Sequence, residues 1–130
     1  MKICIVIADY YPEVSKALLK GAVNVLKYHK IKNYKEIIAP GIFELPTIIS
    51  RNISTYDAFI ALGCVIKGKT PHFDFISRAS IDGIMQLSIT HKKPIGNGII
   101  TCLNKKQAII RSKTRGREAA KAVLSVLKNI

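Results

Sequence analysis

The chain has no apolar run that approaches the roughly eighteen residues of a membrane span, because Gly, Asp or Lys interrupts each hydrophobic stretch first. No membrane partner is expected. Its N-terminus enters a strand at once and shows no signal-peptide pattern, so a cytoplasmic protein is expected. Cys4, Cys64 and Cys102 are odd in number and make no CxxC spacing, which argues against both a disulfide framework and a zinc site. No metal is expected. Each cysteine falls in or beside a predicted strand and reads as a reduced core residue. Cys64 leads into a loop of interest, but no base in that stretch is committed to it, so packing outweighs a nucleophilic role. Internal repeats, linkers and low-complexity segments are absent as well. At 130 residues the chain is long enough for one core and too short for two ordinary ones, which gives a single domain over residues 1–130.

Acidic residues are scarce: 8 Asp and Glu face 21 Lys and Arg, for a net charge of +13. Such a balance raises nucleic acid as a partner. Against it, the cations are spread over predicted helices and short runs at 91–93 and 111–117, and no helix-turn-helix, RNP or zinc pattern is present. No nucleic-acid partner is therefore expected, and the positive field would instead help capture a phosphorylated substrate. Mean hydropathy is +0.20, high for a monomer of this size, so other subunits are expected to cover some apolar surface.

What is present is an alternation of strands and helices. Lys2–Ala8 is continuously apolar and reads as a strand buried on both faces. Val14, Leu18, Ala22 and Val25 then recur at helical spacing. Strands are predicted at Tyr34–Ala39, Tyr56–Ile66, which should be central, and Ile95–Cys102. Helices are predicted at Phe43–Asn52, Pro71–His91, Lys105–Arg111 and Gly116–Leu127. In the long helix Phe73, Ile76, Ala79, Ser80, Gly83, Ile84 and Leu87 form one face. Gly83 costs about 1 kcal/mol there relative to alanine, so a close helix approach is the expected compensation. Right-handed crossovers between such units make a parallel four-stranded sheet with helices on both faces, an α/β, three-layer αβα domain of flavodoxin-like type.

The most informative stretch is Gly63–Asp74, which ends a strand, turns through glycine and opens a helix holding His72. Thr70 suits the N-cap and Pro71 the first helical position, leaving free amides that favour an anion. His72 at the positive helix end is expected to favour the neutral ring, able to take or give a proton. A lone histidine is more often an ordinary surface residue. Here two other strand exits share its character: Asp9-Tyr10-Tyr11-Pro12, and Pro40–Pro46 with Phe43 and Glu44 at the helix entry. Loops leaving the carboxyl ends of parallel strands converge, and ligands bind there.

Three separated motifs, APGIFELP at 39–46, ALGCVIKGKTPHFDF at 61–75 and PIGNGIIT at 94–101, stand in the order found in one known family. The chain resembles 6,7-dimethyl-8-ribityllumazine synthases, enzymes of riboflavin biosynthesis, over nearly its whole length. The resemblance implies condensation of 5-amino-6-(D-ribitylamino)uracil with 3,4-dihydroxy-2-butanone 4-phosphate, releasing phosphate and water without cofactor. It implies His72 as the proton carrier. It also implies Gly68, Lys69, Thr70 and Arg111 at the phosphate, with Arg115 in the place of a customary lysine. Phe43, Glu44, Tyr10 and the main chain of Val65 and Ile66 would hold the pyrimidine and its ribityl chain. A homo-oligomer is implied, pentameric or a larger shell, with riboflavin synthase as a partner to consider.

Departures from the family pattern are local. Tyr10-Tyr11 replaces an aromatic-Asn pair, so Tyr10 keeps the stacking role and the amide contact is lost or replaced. Asn97 stands where many relatives carry a phenylalanine donated across a subunit boundary, and it lies early in its strand, suited to serve a neighbour. Residues 112–116 read as a shortened, altered loop, which leans toward a free pentamer. The N-terminal extension that often pairs with a neighbour is not seen. Phe43 as plain core and Arg111 as a solvated cation remain the structural alternatives. An archaeal-type riboflavin synthase shares the fold, but the turn at Thr70–His72 suits a phosphorylated substrate. An FMN binder would need a glycine- and hydroxyl-rich first loop, which Ala8–Pro12 is not.

Overall fold

The computed structural model describes residues 1–128, so the last two positions of the range read from the sequence lie outside the described residues. The elements run β1 (Ile3–Ala8), α1 (Pro12–Tyr28), β2 (Tyr34–Ala39), a 3₁₀ turn (Ile42–Glu44), α2 (Leu45–Arg51), β3 (Ala58–Ile66), α3 (His72–His91), β4 (Ile95–Cys102) and α4 (Lys105–Lys128). All strand pairs are parallel, in the order β2-β1-β3-β4. The strands stay parallel, but the order in which they are added across the sheet reverses between β1 and β3, so their carboxyl ends flank the crevice where open α/β sheets take ligands.

Burial explains the unbroken apolar runs. Along β1, Ile3, Ile5 and Ile7 enter the core under α1 and α4, whereas Cys4, Val6 and Ala8 enter the core under α2 and α3. A strand covered on both faces has no polar alternation. The result is a three-layer α/β fold of flavodoxin-like type with β1 and β3 central. No helix among the described residues is long and apolar enough to cross a membrane.

Several boundaries differ from the sequence expectation. The second helix does not run from Phe43: Pro46 fits only a first turn, so the α-helix starts at Leu45 and the chain before it tightens into the 3₁₀ turn. The third begins at His72, with Pro71 in the cap position. Ala79 on α3 faces outward, and Ser77 and Ser80 are buried beside Ile84 instead. Gly83 packs as expected, since a Cβ there would meet the Pro46 ring at 3.3 Å.

The largest correction concerns the C-terminal half. Residues 105–128 form one helix, not two, and 112–116 are helical rather than a loop. Gly116 does not terminate it because no glycine here adopts the left-handed conformation a helix stop requires. Its missing side chain lets α4 lie against the backbone of Leu18 on α1. The same pairing gathers the charge. Together α1 and α4 carry eleven Lys and Arg against Glu13 and Glu118, so most of the net charge lies on one face of the sheet.

Candidate active site

The loops after β1, β2 and β3 close around a cleft of about 420 Å³. Tyr10, Tyr11, Phe43, Glu44, Val65, Ile66 and His72 all line it, with Pro40, Gly41, Ile42, Cys64 and Ile76. Tyr10 is 70% exposed and Phe43 58% exposed, so two large rings stand at the rim with no core of their own. Phe43 is therefore not a plain core residue, whereas Ile42 beside it is buried.

His72 is the first residue of α3, and its amide lies 3.4 Å from Thr70 Oγ1, a long contact that half-caps the helix. The preceding turn is open. Lys67 donates its amide to the Cys102 carbonyl at 2.8 Å, but among the described residues no acceptor meets the amides of Gly68, Lys69 and Thr70. A Cβ on Gly68 would meet nothing within 4 Å. These residues stand beside the cleft rather than lining it.

Three residues expected at the site lie elsewhere in this chain. Arg111 reaches from α4 to the sheet, where a guanidinium N–H donates to the Thr101 carbonyl at 2.9 Å. Thr101 pairs with Val65, so Arg111 sits near the carboxyl edge of β3 and β4 without lining the cleft. Arg115, one turn on, lies 3.7 Å from Glu118. Asn97 accepts the Ile99 amide at 3.1 Å and lines hollows between α3, β4 and α4, away from the strand ends.

Two lining residues, Tyr11 and Cys64, carry no site role in the sequence reading. Tyr11 packs its ring against the α1 side of the core, edge-on to Tyr10 at 4.9 Å, and burial, followed by Tyr10 and Cys64, pushes its phenol up. It stays protonated and can donate a hydrogen bond into the cleft. Its place beside Tyr10 in the exit loop was the available signal. Cys64 is held as a thiol: burial first, then the adjacent Cys102, pushes it up to about 12. A thiolate nucleophile is thereby disfavoured.

The Tyr10-Tyr11 loop is held by a hydrogen bond from a buried serine to an exposed carboxylate. Ser15, 2% exposed on α1, donates its hydroxyl to Asp9 Oδ1 at 2.5 Å, bridging the loop's start to the first turn of the helix. Ser15→Ala removes that donor while water can still reach the exposed carboxylate, and is expected to cost about 1 kcal/mol in stability, as denaturant titration would measure.

Comparison of the sequence with known proteins identifies the family. The sequence profile of the 6,7-dimethyl-8-ribityllumazine synthase family matches residues 1–130. The chain is 39% identical to the 6,7-dimethyl-8-ribityllumazine synthase of Bartonella tribocorum, over 96% of this chain and 87% of the relative. It is 37% identical to that of Kineococcus radiotolerans, over 100% and 83%. With 6,7-dimethyl-8-ribityllumazine synthase 1 of Rhodopseudomonas palustris it shares 38% identity, over 98% and 84%. A profile match along the whole sequence and relatives at this identity establish that the chain belongs to the 6,7-dimethyl-8-ribityllumazine synthase family.

Proposed function

We propose that this chain is a transferase that condenses 5-amino-6-(D-ribitylamino)uracil with 3,4-dihydroxy-2-butanone 4-phosphate, releasing phosphate and water, in riboflavin biosynthesis. The observation that carries it is the convergence of exposed Tyr10 and Phe43, Glu44 and His72 on one cleft at the switch point of the sheet. Tyr10 and Phe43 offer ring faces to the pyrimidine. Glu44 accepts hydroxyl hydrogen bonds from the ribityl chain, and the main chain of Val65 and Ile66 meets the pyrimidine edge. The amides of Gly68, Lys69 and Thr70 cradle the phosphate.

The chemistry needs little more than proton traffic and proximity. The primary amine adds to the ketone and one water leaves to form the imine; elimination of phosphate gives an enol that tautomerises to a second carbonyl, and the ribitylamino nitrogen attacks it with loss of a second water to close the ring. Each step moves a proton; His72 lines the cleft, which supports assigning that transfer to its imidazole. Holding two reactants in register supplies several further kcal/mol, on the order of that known for oriented intramolecular reactions. Arg111 keeps N–H groups beyond the one given to Thr101 and can turn its fork to the phosphate; Arg115 is the secondary cation.

The chain is proposed to form a homo-oligomer, a pentamer, in the cytoplasm. Phe75, Met85 and Ile89 are 69%, 58% and 65% exposed on α3, an apolar stripe that neighbouring copies would cover. Asn97, far from its own cleft, would serve a neighbour's. Riboflavin synthase, which uses the product, is the protein partner this role implies. No separate domain is proposed within residues 1–130.

Purified protein supplied with both substrates should produce the absorbance of the lumazine, and failure of either substrate to be consumed would overturn the reading. Arg111→Ala is expected to raise KM for the butanone phosphate about tenfold while leaving that for the pyrimidine nearly unchanged. Equal losses for both substrates would remove Arg111 from the phosphate.

A further inference from the structure

The end of the molecule opposite the cleft carries a surface that lumazine formation does not use. Helix α1 spans about 25 Å from Pro12 to Tyr28, so its C-terminus lies a full helix length from the Tyr10-Tyr11 loop. There the segment Lys27-Tyr28-His29-Lys30-Ile31-Lys32 interleaves cations with rings. Tyr28 is 83% exposed, and its ring meets His29 edge-on at 5.2 Å.

Two hollows flank this point. One of about 400 Å³, toward α4, is lined by Asn24, Val25, Tyr28, His29, Arg117 and Lys121. The other, of about 450 Å³ toward β2, is lined by Lys27, Lys30, Ile31, Lys32 and Tyr34. Neither includes an acidic residue. The two glutamates of α1 and α4 are engaged elsewhere, Glu13 with Lys105 at 3.9 Å and Glu118 with Arg115 at 3.7 Å. Among the described residues, Lys27, Lys30, Lys32, Arg117 and Lys121 have no carboxylate partner.

Lys30 sharpens the point. It occupies the left-handed conformation, φ 60, where the helix ends through Lys30 N–H to Lys27 O and Ile31 N–H to Leu26 O, both 2.9 Å. Glycine or asparagine is the residue this geometry favours. A lysine there, where glycine would relax the backbone, adds a cation to the hollow.

We propose that this surface binds single-stranded nucleic acid. Lys27, Lys30, Arg117 and Lys121 neutralise phosphates, while bases stack on Tyr28 and His29. A cationic groove with exposed ring faces matches a single strand, whose bases are free to stack, better than a duplex, whose bases are not. An acidic protein would satisfy the cations but leave the rings without a role.

Fluorescence anisotropy with labelled RNA and DNA strands of about twelve nucleotides tests this on the intact protein. Binding at about 0.1 M salt is expected, with log affinity falling by about 0.7 per neutralised phosphate for each tenfold rise in salt. Tyr28→Ala should weaken it about tenfold, Tyr28→Phe hardly at all, and Arg117→Ala should lower the salt slope by about one contact. Lys30→Gly should raise the unfolding midpoint yet weaken binding several-fold. Lumazine formation should be unchanged in all of these, which also shows that the variants fold. Absence of binding, binding indifferent to Tyr28→Ala, or a duplex bound as tightly as the single strand would overturn the proposal.

Discussion

Replacing His72 with alanine is expected to lower kcat about a hundredfold while KM for each substrate shifts by less than about threefold. The size follows from where the ring stands. His72 opens α3 at the exposed mouth of the cleft, so water can take over part of its proton transfer, which holds the loss at the lower end of what general acid-base groups contribute. Substrate affinity should survive, because the rings of Tyr10 and Phe43, the Glu44 carboxylate and the open amides at 68–70 do not depend on the imidazole. Stopped-flow and steady-state measurements with both substrates separate the two effects. A variant that loses affinity but keeps kcat would make His72 a binding group and move the proton traffic to another residue. Tyr11 is the alternative the geometry offers, since it lines the same cleft and remains protonated.

The distribution of what the sequence revealed has a physical pattern. Strands buried on both faces are legible because β1 and β3 have no polar alternation, and their periodicity is local. The cleft is legible for a related reason: Pro and Gly punctuation marks each strand exit, and parallel strands send those exits to one edge, so Tyr10, Phe43, Glu44, Val65, Ile66 and His72 meet. Strand order is not written in any local pattern, and only the structure places β1 between β2 and β3.

Long-range packing hid the rest. Gly116 looked like a helix break because its partner, the Leu18 backbone, is distant in sequence. The spread of cations looked diffuse for the same reason, until α1 and α4 lay side by side. Arg111, Arg115 and Asn97 were assigned by resemblance to known relatives, and in one chain they do not reach the cleft. Arg111 must swing from Thr101, Arg115 is occupied by Glu118, and Asn97 faces the wrong end unless a second copy supplies the cleft. One strand edge of a single chain thus assembles Tyr10, Phe43, Glu44, Val65, Ile66 and His72, and leaves Arg111, Arg115 and Asn97 outside the cleft.

Gly116→Ala is expected to destabilise the protein by about 3 kcal/mol, although the substitution removes a residue that costs about 1 kcal/mol in a helix. The sign is decided by what a Cβ would meet. At Gly116 it would fall on the carbonyl oxygen, carbonyl carbon and Cα of Leu18, all backbone atoms of α1 that no rotamer change can move aside. The two helices would have to separate, opening the buried contacts of Leu18, Ala22, Ala119, Ala120 and Val123. Gly21→Ala is the control, since its Cβ would lie 3.1 Å from the Arg117 nitrogen, and its net effect should stay within about 1 kcal/mol. Urea unfolding of both variants, with unchanged slope, reads the difference. The consequence extends to chemistry, because α1 carries Ser15 and so anchors the Tyr10-Tyr11 wall of the cleft. Should Gly116→Ala prove as stable as the parent, the close crossing of α1 and α4 would be wrong, and a break in the helix near residues 112–116 would return as the better description.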